Sequence, residues 1–467
     1  MSTCTGTYHR LSSWLRNHTV AASLIVLICS ASVRLFMAER VEPHAIEDLY
    51  PDANTYLQPA RSVIEHGAFL DSHGNPMVDR TPGYPTLLML LMLLVGDSGD
   101  LHAILVAQAA ILSIGVLILY LFARRMLPPI MAFIGAILGA LSPWGAVLAG
   151  VAMSDGPFVF VLALIFLGMK LADETKALRP ALFMGASVGF LTGIAVLIRP
   201  ISPLVIFVPL ALAFSYGFKR RGSVTLLAVA IVCAVIPVEF WVHRNRTEAH
   251  FASLSDIPGK TAWRYLAARV NAEVTGQNRH LASMAAYQED GKWALSAQEA
   301  DQEHWKRANA VFRQHPFLTV YNFMRSAIEH AIHPSPDVLL PAKLSFRGDF
   351  FILAAIWAAM LALATLGSLC SSDPAWDDGE INRKWLLTLL AICSFLTLLS
   401  GISFAAGSRL RAPLELVIPL LSAIGLVRGI RAINLRHSIE PAANHSFVRV
   451  IEAATLGPTR YSKRICS

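Results

Sequence analysis

A chain of 467 residues with 55% hydrophobic and only 15% charged side chains has a mean hydropathy of +0.52 and a formal net charge of +7. Soluble domains carry about 25% charged residues, and repeated apolar runs of roughly 18 to 23 residues here each match a ~30 Å hydrocarbon core, which excludes a string of soluble domains. The cations sit in short clusters at the ends of those runs (Arg124 and Arg125; Lys219 to Arg221; Arg428, Arg431 and Arg436), which reads as membrane topology and excludes a nucleic-acid footprint.

His9, Arg10 and Arg16 precede an apolar run from Val20 to Met37 that lacks a small-residue cleavage site, so an uncleaved first helix with a cytoplasmic N-terminus is expected. Further runs lie near Pro85–Val95, Leu101–Ala123, Ile130–Val151, Pro157–Leu171, Ala181–Ile198, Ile201–Phe218, Val224–Val242, Phe350–Leu369, Trp385–Phe404 and Pro413–Val427. Pro85–Val95 is too short to span. Treating it as an interfacial or re-entrant helix puts the basic clusters on one side, and the count becomes about ten crossings. The expected fold is an all-α multi-pass transmembrane helical bundle with interfacial helices in the first outer loop and a small helical extracytoplasmic segment. Its parts are a transmembrane catalytic bundle over 1–242 that includes the outer loop 38–100, an extracytoplasmic segment over 243–349, C-terminal transmembrane helices over 350–430, and a cytoplasmic tail over 431–467.

An ionisable group held at membrane depth costs about 2.5 to 3.5 kcal/mol on insertion scales, so each one kept there is a functional candidate. Asp52, Arg80, Asp155 and Arg199 all fall at the outer end of the bundle on this topology. Asp52 stands four residues before Tyr56 at helical spacing; it is either an N-cap or a general base, with Asp48 as competitor. Arg80, in the run Arg80-Thr81-Pro82-Gly83-Tyr84-Pro85, is either an interfacial anchor or a forked donor to a phosphate, and Gly83 is expected to let the backbone turn sharply into the membrane. Asp155 reads as the N-cap of the next helix, a place from which it can still orient an acceptor or an Arg. Arg199 before Pro200 reads as an interfacial anchor or an outward cation attracting a lipid-linked phosphate, and Arg409 and Arg411 are expected on the outer face between the last two helices. His330 and His333 lack a carboxylate at helical offset and the cysteines have no zinc spacing, so no metal is expected from the sequence and a divalent cation is unsupported.

The set Asp52-x3-Tyr56-x3-Ala60, Gly67, Gly74-Asn75-Pro76 and Arg80 to Pro85 resembles the first outer loop of membrane-embedded C-superfamily glycosyltransferases. The branch is that of protein mannosyltransferases and the aminoarabinose transferase of lipid A. The likeness continues through Met153-Ser154-Asp155, Leu197 to Pro200, His243-Arg244-Asn245 and Ser408 to Pro413. It implies a polyprenyl-phosphate-linked sugar as donor, an extracytoplasmic acceptor that is a lipid, glycan or protein, and usually inverting transfer. The resemblance assigns Asp52 as the base, Asp155 as a catalytic orienting residue, and Tyr56, Arg80, Tyr84, Arg199, Arg244 and Arg409 as substrate contacts in a bacterial inner-membrane enzyme whose site faces outward. The rival reading is a multi-pass transporter or lipid flippase. That class would carry charges midway along helices and broken helices in paired positions.

Overall fold

The computed structural model describes residues 2–40, 51–96, 100–217, 220, 222–291, 293, 295–332, 348–369, 381–402 and 407–430. Asp48, His333 and the tail beyond 430 lie outside the described residues, as does the side chain of Arg409. Among the described residues every regular element is a helix, apart from one isolated antiparallel bridge between Leu70 and Pro76.

The N-terminal part contains α1 (Ser2–Asn17), α2 (Thr19–Arg40), α3 (Pro51–His66), α4 (Gly83–Val95), α5 (Leu101–Ala123), α6 (Pro129–Ala140), α7 (Pro143–Ala149), α8 (Asp155–Glu174), α9 (Leu178–Ile198), α10 (Leu204–Tyr216) and α11 (Ser223–Glu248). Then follow α12 (257–275, with a π turn at Ala262–Ala267), α13 (Arg279–Asp290), α14 (Ala297–Gln314), α15 (Pro316–Ile332), α16 (Gly348–Leu369), α17 (Arg383–Leu399) and α18 (Ile418–Ile430), with 3₁₀ turns at Ser400–Ile402 and Gly407–Leu416 before α18.

Among the described residues six helices are long and apolar enough to cross a membrane, or eight if each of two bent pairs is one span; Gly83–Val95, Leu204–Tyr216 and Ala355–Leu366 are apolar but shorter. The run expected as one crossing over Ile130–Val151 is bent by 53° between α6 and α7. Pro143 cannot donate to the helical ladder, and the Ser142 hydroxyl caps the new helix.

Close packing of α9 on α11 follows from small residues at four-residue spacing. A Cβ on Gly189 would meet the Ala230 carbonyl at 2.2 Å, and one on Gly193 would meet the Ala234 carbonyl at 2.6 Å. The backbones therefore touch, and α9 is held so that its last residue delivers Arg199 to a fixed place.

One end of the bundle gathers the expected basic residues. Arg125 pairs with Glu174 at the end of α8, Lys384 lies 3.5 Å from Asp173, and Arg220 donates to the Asp173 carbonyl. Asp155 opens the same helix α8, so its site lies at the opposite end, about 30 Å away at 1.5 Å per residue.

Candidate active site

Four-residue spacing places Asp52 and Tyr56 on one face of α3. Arg80 clasps that face. Its Nη2 donates to Asp52 Oδ1 at 2.8 Å, its Nε donates to Thr55 Oγ1 at 2.7 Å, and its guanidinium lies 4.5 Å above the Tyr56 ring.

The second pair is more deeply set. Arg199 Nη1 donates to Asp155 Oδ1 at 2.7 Å, and the carboxylate side chain is only 3% exposed. Asp155 is not the N-cap that its sequence context suggested; Ser154 holds that position and makes no capping bond, which leaves the carboxylate to the arginine. Pro200 ends α9 and Arg199 turns extended, at φ −133°. The guanidinium also faces the Phe158 ring at 5.5 Å.

Side chains between the two pairs join them. The Tyr56 hydroxyl lies 3.2 Å from the Ser154 hydroxyl, and the Tyr84 ring meets the Tyr56 ring edge-on at 5.1 Å. Tyr84 donates to Gln108 Oε1 at 2.8 Å, and Gln108 Nε2 donates to the carbonyls of Ala149 and Val151. Tyr84 is fully buried, and its contact with the site is the Tyr56 ring. Gly83 has ordinary negative-φ geometry, contrary to the sharp-turn reading; what needs glycine is contact, since a Cβ there would lie 2.6 Å from the Leu197 backbone. The loop carrying Arg80 thus presses directly on the end of α9 that carries Arg199.

Arg244, on the extra turns by which α11 outruns its expected end at Val242, donates to the carbonyls of Phe69 (2.7 Å) and Met77 (2.8 Å) across the neck of the outer loop. It also pairs with Glu248 and stacks over Trp241 at 4.8 Å. Its donors serve the loop, whose shape depends on them.

Four residues beside Arg80 were not singled out in the sequence. Lys260 Nζ lies 2.7 Å from both Asp79 Oδ1 and Asp256 Oδ2, and Ser255 Oγ donates to the Asp79 carbonyl. Burial and the Asp79 charge push Asp256 up to about 7, while Asp79, which burial alone would raise, is held low by Lys260 and by the hydrogen bond from Asp256. The available signal was Asp256-x3-Lys260 at helical spacing, but its partner Asp79 is remote in sequence.

Arg411 is not on the outer face. It is 1% exposed and sandwiched between the rings of Trp144 (4.3 Å) and Trp357 (3.9 Å). Glu415, one turn on, accepts from Ser142 and, with Arg34, lines a cavity of about 50 Å³ walled by Leu112, Val116 and Gly156. Arg34 in the first apolar run and Glu415 in the last are intramembrane charges that the insertion-cost rule flags.

Residues 79–241 match the family model for dolichyl-phosphate-mannose-protein mannosyltransferase. No curated protein matches the chain. The chain is similar to the solved oligosaccharyltransferase of Archaeoglobus fulgidus tethered with an acceptor peptide, at 15% identity and a TM-score of 0.51, covering 92% of this chain and 52% of that one. It is also similar to AglB from Archaeoglobus fulgidus in complex with an inhibitory peptide and a dolichol-phosphate (14% identity, TM-score 0.46, 95% and 55% covered). A third match is ArnT from Cupriavidus metallidurans bound to undecaprenyl phosphate (14% identity, TM-score 0.37, 88% and 77% covered). The chain spans about half the length of the oligosaccharyltransferases it matches, and the first likeness shows a shared transmembrane fold.

Proposed function

We propose that this multi-pass membrane protein is a glycosyltransferase that moves a sugar from a polyprenyl-phosphate donor to a hydroxyl of an extracytoplasmic lipid, glycan or protein acceptor, with inversion. One observation carries the reading: two carboxylate–arginine pairs, Asp52–Arg80 and Asp155–Arg199, are joined through Tyr56 and Ser154 at one end of the bundle, and the three of these charged residues from Arg80 onward lie in the stretch that matches lipid-phosphate-mannose transferases.

Asp52 takes the proton of the acceptor hydroxyl, and the freed oxygen attacks the anomeric carbon. The bond from that carbon to the phosphate oxygen breaks, and polyprenyl phosphate leaves with the electron pair. Arg80 and Arg199 are preorganised cations for the charge that builds on the leaving phosphate. Asp155 fixes Arg199 and orients the sugar or acceptor, and Tyr56 offers its hydroxyl between the pairs. Tyr84 and Arg244 serve the substrate through Tyr56 and the loop neck. Arg409 completes the substrate-binding set.

The basic end of the bundle then faces the cytoplasm by the positive-inside rule, and the site faces outward from the bacterial inner membrane. The proposed division keeps 1–242 as the catalytic bundle, 243–349 outside, 350–430 as C-terminal spans and 431–467 inside. Ten crossings result if Leu204–Tyr216 and Ala355–Leu366 both span alongside the eight.

The test is transfer by the purified protein from radiolabelled polyprenyl-phosphate sugars to lipid and glycan acceptors. Asp52→Asn should lose turnover while still binding donor. Wild-type turnover in Asp52→Asn would remove Asp52 as the base.

A further inference from the structure

Helix α15 is built inside out. Phe317, Val320, Tyr321, Met324, Ile328 and Ile332 are all exposed, Phe317 at 90%. At 100° per residue they fall on one arc of about 120°. The opposite face buries Asn322, Ser326 and His330, each with a polar partner. Asn322 Nδ2 donates to Glu273, Arg269 donates to Ser326 and Glu329, and His330 Nδ1 lies 3.0 Å from Ser400 Oγ. A helix turned to water shows the reverse pattern, and a contiguous apolar stripe of this size marks a surface that is covered by something apolar.

The position of α15 says what covers it. It packs on the Ser400–Ile402 turn so closely that a Cβ on Gly401 would lie 2.3 Å from the Phe323 carbonyl, and Trp357 of α16 donates to the Ala331 carbonyl. Ser400 ends the span that begins at Arg383, and Trp385 at the start of that span donates to Asp173. Helix α15 therefore sits at the Asp155 end of the bundle, beside the end of a membrane span. Arg325, paired with Glu329 and Glu273, forms a charged rim along one edge of the stripe. We propose that α15 lies in the plane of the leaflet at the Asp155 end, with its Phe317–Ile332 stripe in lipid hydrocarbon and its polar face toward the protein. So placed, the stripe anchors the 243–349 segment to the membrane beside the candidate active site.

Single cysteines at Phe317, Tyr321, Met324 and Ile328, in a background without other cysteines, are spin-labelled in the full-length protein reconstituted in phosphatidylcholine vesicles. Lys306→Cys, at a side chain 77% exposed on α14, serves as the water-facing control. Collision with oxygen should exceed collision with a water-soluble nickel chelate at all four stripe positions, and the order should reverse at Lys306. Two results overturn the proposal: nickel accessibility at the stripe equal to that at Lys306, or dipolar broadening between labels on different copies. The second would mean that another copy of the chain covers the stripe. The labelled side chains are exposed and the readout is accessibility, so the result does not depend on transferase activity.

Discussion

The Tyr56 hydroxyl lies 3.2 Å from the hydroxyl of Ser154, the residue next to Asp155, and so links the Asp52–Arg80 pair to the Asp155–Arg199 pair. Removing that hydroxyl should uncouple the pairs while sparing the ring under Arg80. Tyr56→Phe is expected to lower kcat/KM about fivefold, the equivalent of a net hydrogen bond of about 1 kcal/mol. Tyr56→Ala should lose at least another ~0.5–1 kcal/mol because the cation–π contact goes as well. Equal kinetics for wild type and Tyr56→Phe would assign the link a purely structural role.

Asp155 is almost fully enclosed, and its carboxylate is paired with Arg199. Arg199→Ala should cost about 3–5 kcal/mol of stability, because it strands a buried carboxylate. Adding Asp155→Asn should recover most of that loss in thermal unfolding but none of the turnover. Recovery of both would show that the pair holds the bundle and does no chemistry.

Asp256 is raised in the folded protein, so the folded state holds a proton that the unfolded state has released. Its contribution to stability is full below the ordinary carboxylate range near pH 4 and is lost as the pH rises through about 7. The unfolding temperature should therefore fall between about pH 4 and about pH 7, and Asp256→Asn should flatten that slope. Asp79 is shifted the other way, so its contribution is present above the ordinary carboxylate range and is lost only as the pH falls below it. An unchanged slope in Asp256→Asn would place the titration elsewhere.

Gly83→Ala puts a methyl group into the Leu197 backbone at the contact that seats Arg80 beside Arg199. A displacement of about 1 Å at a reacting constellation costs on the order of 10² in rate. Turnover should fall by about that factor with a smaller change in unfolding temperature. The comparison substitution is Gly189→Ala, whose Cβ meets the Ala230 carbonyl in the helix interface; it should act on stability first.

Glu415 sits among Arg34, Arg411 and Ser142 inside the bundle. Glu415→Leu strands the buried Ser142 hydroxyl and removes the carboxylate facing two enclosed cations, so it should destabilise the protein, whereas Glu415→Gln should cost less because the Ser142 bond has a replacement acceptor. Thermal unfolding in detergent checks the order.

Asp52, Arg80, Asp155 and Arg199 could be picked from the sequence because the topology set by the apolar runs puts all four charges at the outer end of the bundle, and hydrocarbon penalises charges kept there. Their pairing was not visible. Asp52 and Asp155 both read as ordinary helix starts, and only the approach of Arg80 and Arg199 shows what the carboxylates hold. Arg244 looked like a substrate contact by its motif, yet its donors are turned to the Phe69 and Met77 carbonyls, an assignment that required the loop's backbone. Lys260 and Asp79 escaped notice because their partnership is tertiary.

The sequence by itself determined the all-helical membrane character, the basic end of the bundle and the end at which the carboxylates gather, since hydrocarbon dictates run length and charge placement residue by residue. The tertiary structure alone decided which carboxylate meets which arginine, that Arg411 is enclosed between two tryptophans, and that α15 turns its apolar face outward. Those outcomes depend on backbone approach at positions such as Gly83, Gly189 and Gly401, where the absence of a side chain sets distances between segments far apart in the chain.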